Sequence, residues 1–488
     1  MSSTHPHPKL STEISRELES IVGKANCLTD PEDILCYGYD ASKYQFLPNA
    51  VLLPGDATEI AGILRLANKM KFPVVPRGAG SGVTGGTLPV SGGIVLSLQR
   101  MNRIISIDEE NMLARVEAGV VTLNLQRAVA GSGLFYPPDP GSLAVSTIGG
   151  NIASCAGGPR AVKYGVTKDY VLGLEAVLPT GDVINTGVQT AKGVVGYDLT
   201  KLIVGSEGTL AVVSRAILKL IPQPESRLTI LTTYKDLVQA ARAVTRIVKA
   251  RIVPCALEFM DRNAIRCVAE YQNVPMPESA DALLLIEVDG ARETVSRHAE
   301  EIKRLCLEEG ALEIESAASE ADSERLWNAR RAVSPALFKL KPFQISEDIV
   351  VLRNQIPQMV EQLQQIGRRF KLDLVCFGHA GDGNIHVCIM VNPEDAGEMD
   401  RARKAVSEIF DRTIEIGGTI SGEHGIGITK APYVAKEIGA LGLDVMHRIK
   451  KAFDPNNILN PGKIFPDEVA KYTDLIDHSQ ATALCAKV

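Results

Sequence analysis

The feature that most constrains this chain is the string PRGAGSGVTGGT (76–87), which packs Gly78, Gly80, Gly82, Gly85 and Gly86 into a single loop. Gly80, Gly82 and Gly85 match the G-x-G-x-x-G spacing of a dinucleotide-binding turn. Such a turn has to open a helix whose N-terminus holds the diphosphate. Here Pro89, Gly92 and Gly93 follow, and then the strand-like run Ile94–Leu98, so no helix can start. A P-loop is excluded as well, because no Gly-Lys-Ser/Thr comes next. What remains is a strand–loop–strand whose backbone N–H groups can form an anion-binding nest for a diphosphate, or else a surface loop. Glycine suits a nest because it has no side-chain bulk and tolerates positive φ.

Two more glycine-rich clusters follow: YPPDPGSLAVSTIGGNIASCAGGPRAVKYG (136–165) and VGYDLTKLIVGSEGTLAVVSRAILKL (195–220). Between the clusters, Leu10–Val22 has helical apolar spacing. Ala50–Pro54 reads as a strand, Ala57–Met70 as an amphipathic helix and Phe72–Pro76 as a strand. Ala114–Glu117, Leu172–Leu178 and Ala211–Leu220 read as further strands. Pro222 and Pro224 mark a boundary, after which the periodicity changes. Ser226–Thr233 and Ala282–Val288 read as strands, each followed by a helix (Lys235–Ala250, Ala291–Gly310). This pattern predicts an α+β domain with helices on one sheet face. A third helix, about Ser319–Leu340, opens with a Ser-x-x-Asp capping signal and carries Trp327; a fourth spans Val434–Phe453.

At 488 residues the prior is two to three domains of about 150. We expect an N-terminal helical segment (1–45), a first domain (46–224), a second domain (225–430) and a C-terminal helical segment with a loose tail (431–488). Lys and Arg total 52 and Asp and Glu 58, a net charge of −6 that gives no electrostatic footprint for nucleic acid. Apolar runs such as Ala282–Ile286 are too short to span a bilayer. The opening MSSTHPHPKL has neither a secretion signal nor a transit-peptide pattern. The 9 cysteines include no C-x-x-C pair, which argues against zinc-ribbon, iron–sulfur and c-type haem spacings. It also suits a reducing compartment better than a disulfide framework. We expect a soluble, cytoplasmic, multidomain enzyme.

The three glycine-rich segments, in this order across residues 46–224, resemble the FAD domain of the vanillyl-alcohol oxidase (PCMH-type) flavoprotein family. The resemblance implies a two-subdomain FAD-binding domain, a substrate (cap) domain and a C-terminal segment returning to the FAD domain. It implies that Pro76, Arg77, Gly78, Ala79, Gly80, Ser81, Gly82, Gly85 and Gly86 cradle the pyrophosphate. Pro138, Asp139, Ser142, Thr147, Gly149, Gly150, Asn151 and Ser154 would line the isoalloxazine and ribityl chain. Gly157, Gly158, Tyr164 and Asn460 would also touch the cofactor, and Glu207 and Gly208 would sit near the adenine half. The first loop has no histidine of the kind that bonds flavin covalently in some members, so the FAD is expected to be noncovalent.

Of 8 histidines, His379, His386 and His424 fall close together in sequence. In LVCFGHAGDGNIHVCIM (374–390), two apolar runs flank Asp382-Gly383, a type I′ hairpin signal. A two-residue loop there would place His379 directly opposite His386 on one face, Cβ atoms about 5 Å apart, close enough to share an ion. A one-residue slip would separate them. The alternative is two ordinary, partly buried histidines. The loop GGTISGEHGIG (417–427) adds Glu423 and His424. Two histidines and a carboxylate suit Zn²⁺ and also Mn²⁺ or Fe²⁺; Cys388, on the same face, reads as core.

These H-x-G-D-G-N-x-H and G-E-H-G elements, with NPGKIF (460–465), resemble the FAD-linked 2-hydroxyacid dehydrogenases, a group that includes glycolate oxidase FAD subunits and D-lactate dehydrogenases. The resemblance implies His379, His386 and Glu423 as ligands of a divalent metal and His424 as the catalytic base. It also implies that Arg330, four residues before Ser334 on one helix face, binds the substrate carboxylate. Members acting on D-2-hydroxyglutarate carry a further lysine where this chain has Ser346, so a short monocarboxylate such as D-lactate or glycolate is favoured. With no cysteine cluster, electrons need a separate acceptor: an iron–sulfur subunit, an electron-transferring flavoprotein, a quinone or a cytochrome. A homodimer, and a peripheral seat at the inner membrane through a partner, are compatible with this reading. Two other readings are an alcohol or aldehyde oxidase on the same FAD domain, and a non-catalytic FAD-carrying electron-transfer subunit.

Overall fold

Helix Ala57–Met70 shows how the chain starts its first core. Ile60, Ile63, Leu64 and Ala67 recur at helical spacing and are all buried, and Asp56 caps the start by accepting from the N–H groups of Thr58 and Glu59 (2.8 and 2.9 Å). The helix delivers the chain to strand Val74–Arg77, which pairs in parallel with Ile94–Ser97; that strand in turn runs parallel to Ala50–Leu52. Loop 78–93 between the parallel strands contains no helix, as the run of glycines and prolines requires.

The computed structural model describes residues 10–272 and 279–472. As far as they are described, Met1–Ala156, Val166–Gln223 and Glu423–Val488 form one compact unit, and Gly157–Gly165 with Pro224–Gly422 form another. The crossing at Gln223/Pro224 falls where the Pro222–Pro224 punctuation places a boundary. Two crossings differ from the expected limits. Segment 157–165 belongs to the second unit, and the chain re-enters the first at Glu423, ahead of the anticipated 430/431 junction.

The first unit also contains a five-stranded antiparallel sheet ordered Ile104–Asp108, Leu113–Glu117, Val212–Lys219, Val171–Val177, Val183–Gly187. Its C-terminal segment is stitched to residues far back in sequence. The Asn460 N–H bonds to the Val74 carbonyl (2.8 Å), and Asn460 Nδ2 donates to the carbonyls of Gly86 and Glu207 (2.9 and 2.7 Å). Lys450 Nζ donates to Thr209 O, Asp454 Oδ2 and Leu459 O, so all three ammonium protons are used (2.9, 2.6 and 2.8 Å). Lys463, fully buried, donates to Leu88 O at 2.7 Å.

The second unit is built on a seven-stranded sheet in the order Glu313–Ser316, Ser226–Tyr234, Ala282–Gly290, Ala256–Asp261, Asp373–His379, Asn384–Val391, Phe343–Val350, antiparallel throughout. Sequence reading foresaw helices on one face, but both faces are covered. Met260, Leu285, Val375, Phe377 and Cys388 pack on one side against Leu326 and Val333. Gly367 of helix Ile356–Phe370 approaches Leu374 on the other. Double coverage explains why Ala256–Asp261, buried along almost its whole length, shows no alternation to read. The helix expected over Ser319–Leu340 runs only over Glu320–Arg331 and restarts at Val333–Ala336. Pro335 has no N–H to offer the Arg331 carbonyl.

Burial pushes the Lys463 ammonium down to about 7, against the opposing pull of Asp40, Glu207 and Glu468. A base with a lowered folded pKa sheds its proton in the native state first, so stability rises with pH between about 7 and the unfolded value, and the penalty is full below 7. In Lys463→Met this component disappears. The melting-temperature difference between wild type and variant should therefore move in favour of wild type from pH 7 to pH 9.5, as thermal melts at each pH would register. A pH-independent difference would contradict this assignment.

Candidate active site

In the first unit, the glycine loop and the second cluster line one cavity of about 590 Å³, whose walls include Arg77, Gly78, Ala79, Gly119, Val121, Asn124, Val145 and Thr147. The packing at its edge leaves no room for side chains. A Cβ on Gly78 would run into Thr147 Oγ1, and one on Gly149 would lie 2.7 Å from the Ala118 Cβ. Gly80 and Gly85 adopt positive φ (70° and 77°), which turns the loop back on itself. Nothing lies within 4 Å of the position a Gly82 Cβ would take, so the space beside this exposed glycine is open. Thr147 caps helix Ile148–Ser154 by accepting from the Gly150 N–H, and Asn151 Nδ2 donates to Thr122 Oγ1 (2.7 Å).

In the second unit, the two histidine strands are joined by four residues, Ala380–Asp382 and Gly383. The observed register places His379 opposite Asn384 and Phe377 opposite His386. The expected two-residue loop is thus corrected by a shift of two. Gly381 donates its N–H to the Leu257 carbonyl on the neighbouring strand, and Gly383 donates to His379 O, so the turn is drawn out to four residues. A shift of two preserves the face. The histidines are diagonal neighbours, with ring centroids 5.0 Å apart and Nε2 atoms 3.3 Å apart.

Where the chain leaves this unit, Gly422 is fixed by donating its N–H to Asp348 Oδ2 (2.8 Å). The next residue, Glu423, then brings its carboxylate to the histidines: ligand atoms of His379, His386 and Glu423 all lie within 4.8 Å of one another. Two nitrogens at 2.0–2.1 Å from one tetrahedral zinc are separated by about 3.3 Å, which is the observed Nε2–Nε2 distance. The donor set and this spacing fit a divalent metal.

A residue that sequence reading missed stands directly behind the histidines. Glu258, fully buried and paired with His379 in the strand register, accepts from His379 Nδ1 on Oε1 (2.6 Å). Its Oε2 takes Arg330 Nε and Nη2 (2.8 and 2.7 Å), and the guanidinium stacks 4.8 Å from the centre of the Phe377 ring. The available signal was one acid inside the apolar run CALEFM.

Comparison with known proteins places these sites in a family. Residues 48–187 match the FAD binding domain, and residues 223–464 match the C-terminal domain of FAD linked oxidases. The chain is 46% identical over 463 residues to the glycolate oxidase subunit GlcD of Bacillus subtilis, covering 95% of this chain and 98% of that one. It belongs to the FAD-linked oxidases. It is also 34% identical to the Escherichia coli K12 glycolate oxidase subunit GlcD (93% of this chain, 91% of that one) and 35% identical to a D-lactate dehydrogenase of Anaerostipes hadrus (86% and 89%). Among solved structures, p-cresol methylhydroxylase superposes with a TM-score of 0.78 at 18% identity, over 93% of this chain and 96% of that one, which shows the shared fold.

Within this FAD-linked oxidase, the cavity flanked by a helix-free glycine loop suits a dinucleotide cofactor, with Gly78, Ala79 and Thr147 on its wall. Tyr136 Oη and Asn460 Oδ1 are buried polar atoms without a protein partner in the same unit. Arg77 braces the loop from below: it is 6% exposed and donates to Tyr39 O (2.8 Å) and Thr87 Oγ1 (3.2 Å). Pro76 lies in the strand before the loop, and Ser81 and Gly86 lie in the loop itself. Pro138 is buried, its carbonyl accepting from Gln126 Nε2 (2.9 Å); Asp139 follows it, and Ser142 O closes a turn onto Val145 and Ser146. Ser154 Oγ donates to Gly150 O (3.2 Å).

The remaining residues singled out from the sequence are placed as follows. Glu207 directs both carboxylate oxygens to the N–H groups of Ile426 and Gly427 (2.7 and 2.8 Å), and Gly208 packs beside Pro76. Gly157, Gly158 and Tyr164 belong to the second unit, where the Tyr164 hydroxyl donates to Asp289 Oδ2 at 2.7 Å. His424 is half-buried, and its carbonyl accepts from Thr84 Oγ1 (3.3 Å). Ser334 is exposed and sits beyond the helix restart at Ala332, off the stretch that carries Arg330. Cys388 is core, with Gln344 Nε2 donating to its sulfur.

Gly78→Ala forces Thr147 Oγ1 out of the cavity wall and should reduce retained FAD at least tenfold. The ratio of flavin to protein absorbance after gel filtration measures this, and unchanged retention would remove the cavity from consideration as the FAD site.

Proposed function

We propose that this oxidase converts a short D-2-hydroxy acid, D-lactate or glycolate, to the 2-keto acid with the help of a divalent metal, most readily zinc. The observation that carries this reading is the convergence of His379, His386 and Glu423 on one point, with His424 next in the chain. Relatives named glycolate oxidase subunit and D-lactate dehydrogenase support the substrate class.

The chemistry divides among the residues as follows. Removing a hydroxyl proton whose pKa lies far above 7 is the hard step; His379, His386 and Glu423 would hold the metal, which would supply Lewis acidity there. His424, next to the ligand Glu423 in the chain, takes the proton as general base. Noncovalent FAD supplies the two-electron acceptor for the C2 hydride. Arg330 keeps Nη1 for a carboxylate after committing Nε and Nη2 to Glu258. Ser346 lies opposite Cys388 in the strand register and offers a short hydroxyl, not a second cation, which favours a monocarboxylate.

Electrons then pass to a separate acceptor. All 8 described cysteines are free thiols, and among the described residues no helix is long and apolar enough to cross a membrane. An iron–sulfur partner subunit suits the relatives named as oxidase subunits; an electron-transferring flavoprotein, a quinone or a cytochrome would serve the same role.

Anaerobic mixing of the purified yellow protein with D-lactate, L-lactate, glycolate and D-2-hydroxyglutarate should bleach the flavin with D-lactate or glycolate. Chelation should abolish the bleaching and added Zn²⁺ should restore it. His424→Asn should slow the reduction by about 10²–10⁴-fold, the usual contribution of a general base. Bleaching untouched by exhaustive chelation removes the metal from the mechanism. No bleaching by any hydroxy acid, with FAD bound, points to an electron-transfer subunit.

A further inference from the structure

We propose that Glu258 is the positioning residue of the metal centre: it fixes the tautomer and ring orientation of His379, and Arg330 holds Glu258 in place to do so. The inference rests on the metal reading above and goes beyond it, since neither residue is one of the three ligands.

The argument starts from burial. Glu258 is 0% exposed on a central strand of the sheet, where a carboxylate is costly unless each oxygen is paired. It is paired on both sides with different partners. Oε1 faces His379 Nδ1 at 2.6 Å, and Oε2 accepts from Arg330 Nε (2.8 Å) and forms an ion pair with Nη2 (2.7 Å). A carboxylate can only accept, so the proton of His379 sits on Nδ1 and the lone pair on Nε2. Nε2 is the nitrogen 3.3 Å from His386 Nε2. Without the Glu258 contact, the neutral ring could carry its proton on Nε2, where it would block metal binding, or turn about its χ2.

The same face locks the relay mechanically. Phe377, opposite His386 in the register, lies with its ring centroid 5.3 Å from the His386 ring while Arg330 stacks on it. Glu258 is set directly opposite His379 by the pairing of strands Ala256–Asp261 and Asp373–His379. Sheet geometry therefore fixes both ends of the Glu258–His379 bond, and helix Glu320–Arg331 delivers the guanidinium that closes the chain of contacts. An outer carboxylate on a ligating histidine typically raises metal affinity 10–100-fold.

The test compares Zn²⁺ affinity, read by equilibrium competition against a chromophoric chelator, in full-length wild type, Glu258→Gln, and the double variant Glu258→Gln/Arg330→Met. FAD content and the melting temperature of the metal-free proteins are measured alongside. Glu258→Gln keeps the shape of the side chain; the double variant also removes the guanidinium that would otherwise be left buried and unpaired. We expect both variants to bind Zn²⁺ 10–100-fold more weakly with FAD content unchanged. Affinity within twofold of wild type in Glu258→Gln overturns the proposal. So does recovery of wild-type affinity in the double variant, because the loss would then come from an unpaired charge and not from a released histidine. Wild-type protein that takes up no Zn²⁺ overturns the metal reading itself, an outcome distinct from equal binding by all three proteins.

Discussion

The carboxylate of Glu207 is the interaction on which the first unit depends. It is half-buried on a backbone of positive φ (52°) and accepts the N–H groups of Ile426 and Gly427, while its own carbonyl accepts from Asn460. Burial pushes this carboxyl upward, and the two backbone N–H groups oppose the shift. Through it three stretches meet: the loop that follows Glu423 and His424, the end of the third glycine cluster, and the Asn460–Lys463 segment. Asn460 also grips Gly86 and Lys463 grips Leu88, so the rim of the cofactor loop is tied into the same knot. Gly425 and Gly427 have positive φ (79° and 53°) and lie against Glu207 and Thr84. A side chain at either would pry the knot apart.

The second unit answers a different physical problem, that of keeping acids dry. On one face of its sheet Glu287 accepts from Thr229 Oγ1 (2.8 Å) and from Trp327 Nε1 (2.9 Å), Glu258 meets His379 and Arg330, and Asp348 holds Gly422. Each of these three buried carboxylates accepts from named donors, which lets polar groups in a core add rigidity without destabilising it. Helix Glu320–Arg331 supplies two of those donors, Trp327 and Arg330, three residues apart on one face. The single tryptophan is therefore as much a hydrogen-bond donor as a filler of space.

What could be read from the chain was local. Helix Ala57–Met70 was legible to the residue because Asp56 caps it and its apolar spacing is clean. The helix-free fate of the Gly80 loop followed from glycine and proline chemistry alone. That His379 and His386 share a face was legible because an odd-versus-even face argument survives a shift of two residues, and Glu423 stood out as an acid next to a histidine in a glycine-dense loop. The exact hairpin register was not, since the hydrogen bond from Gly381 to Leu257 comes from a strand more than a hundred residues earlier in the chain. Glu258 and the strand that carries it were hidden for the same reason. A strand buried on both faces has no period, and a lone acid within it acquires meaning only once another strand lies beside it. Likewise, the partners of Glu207 and Tyr164 are long-range contacts that no local pattern announces.

The clasp between Asn460 and Gly86 joins residues 374 positions apart, and that separation governs how the protein can come into being. A chain emerging from the ribosome presents its glycine loop long before the segment that fastens it exists. The cofactor loop must therefore wait, unfastened, while the whole second unit is made, and the first unit closes only when the final stretch has been released. Synthesis order thus makes the flavin pocket one of the last parts of the molecule to be completed, although its main loop is among the first to be written. A ribosome stalled after residue 422 has emerged but before residue 460 is made would leave a chain whose central unit can fold and whose glycine loop has no clasp.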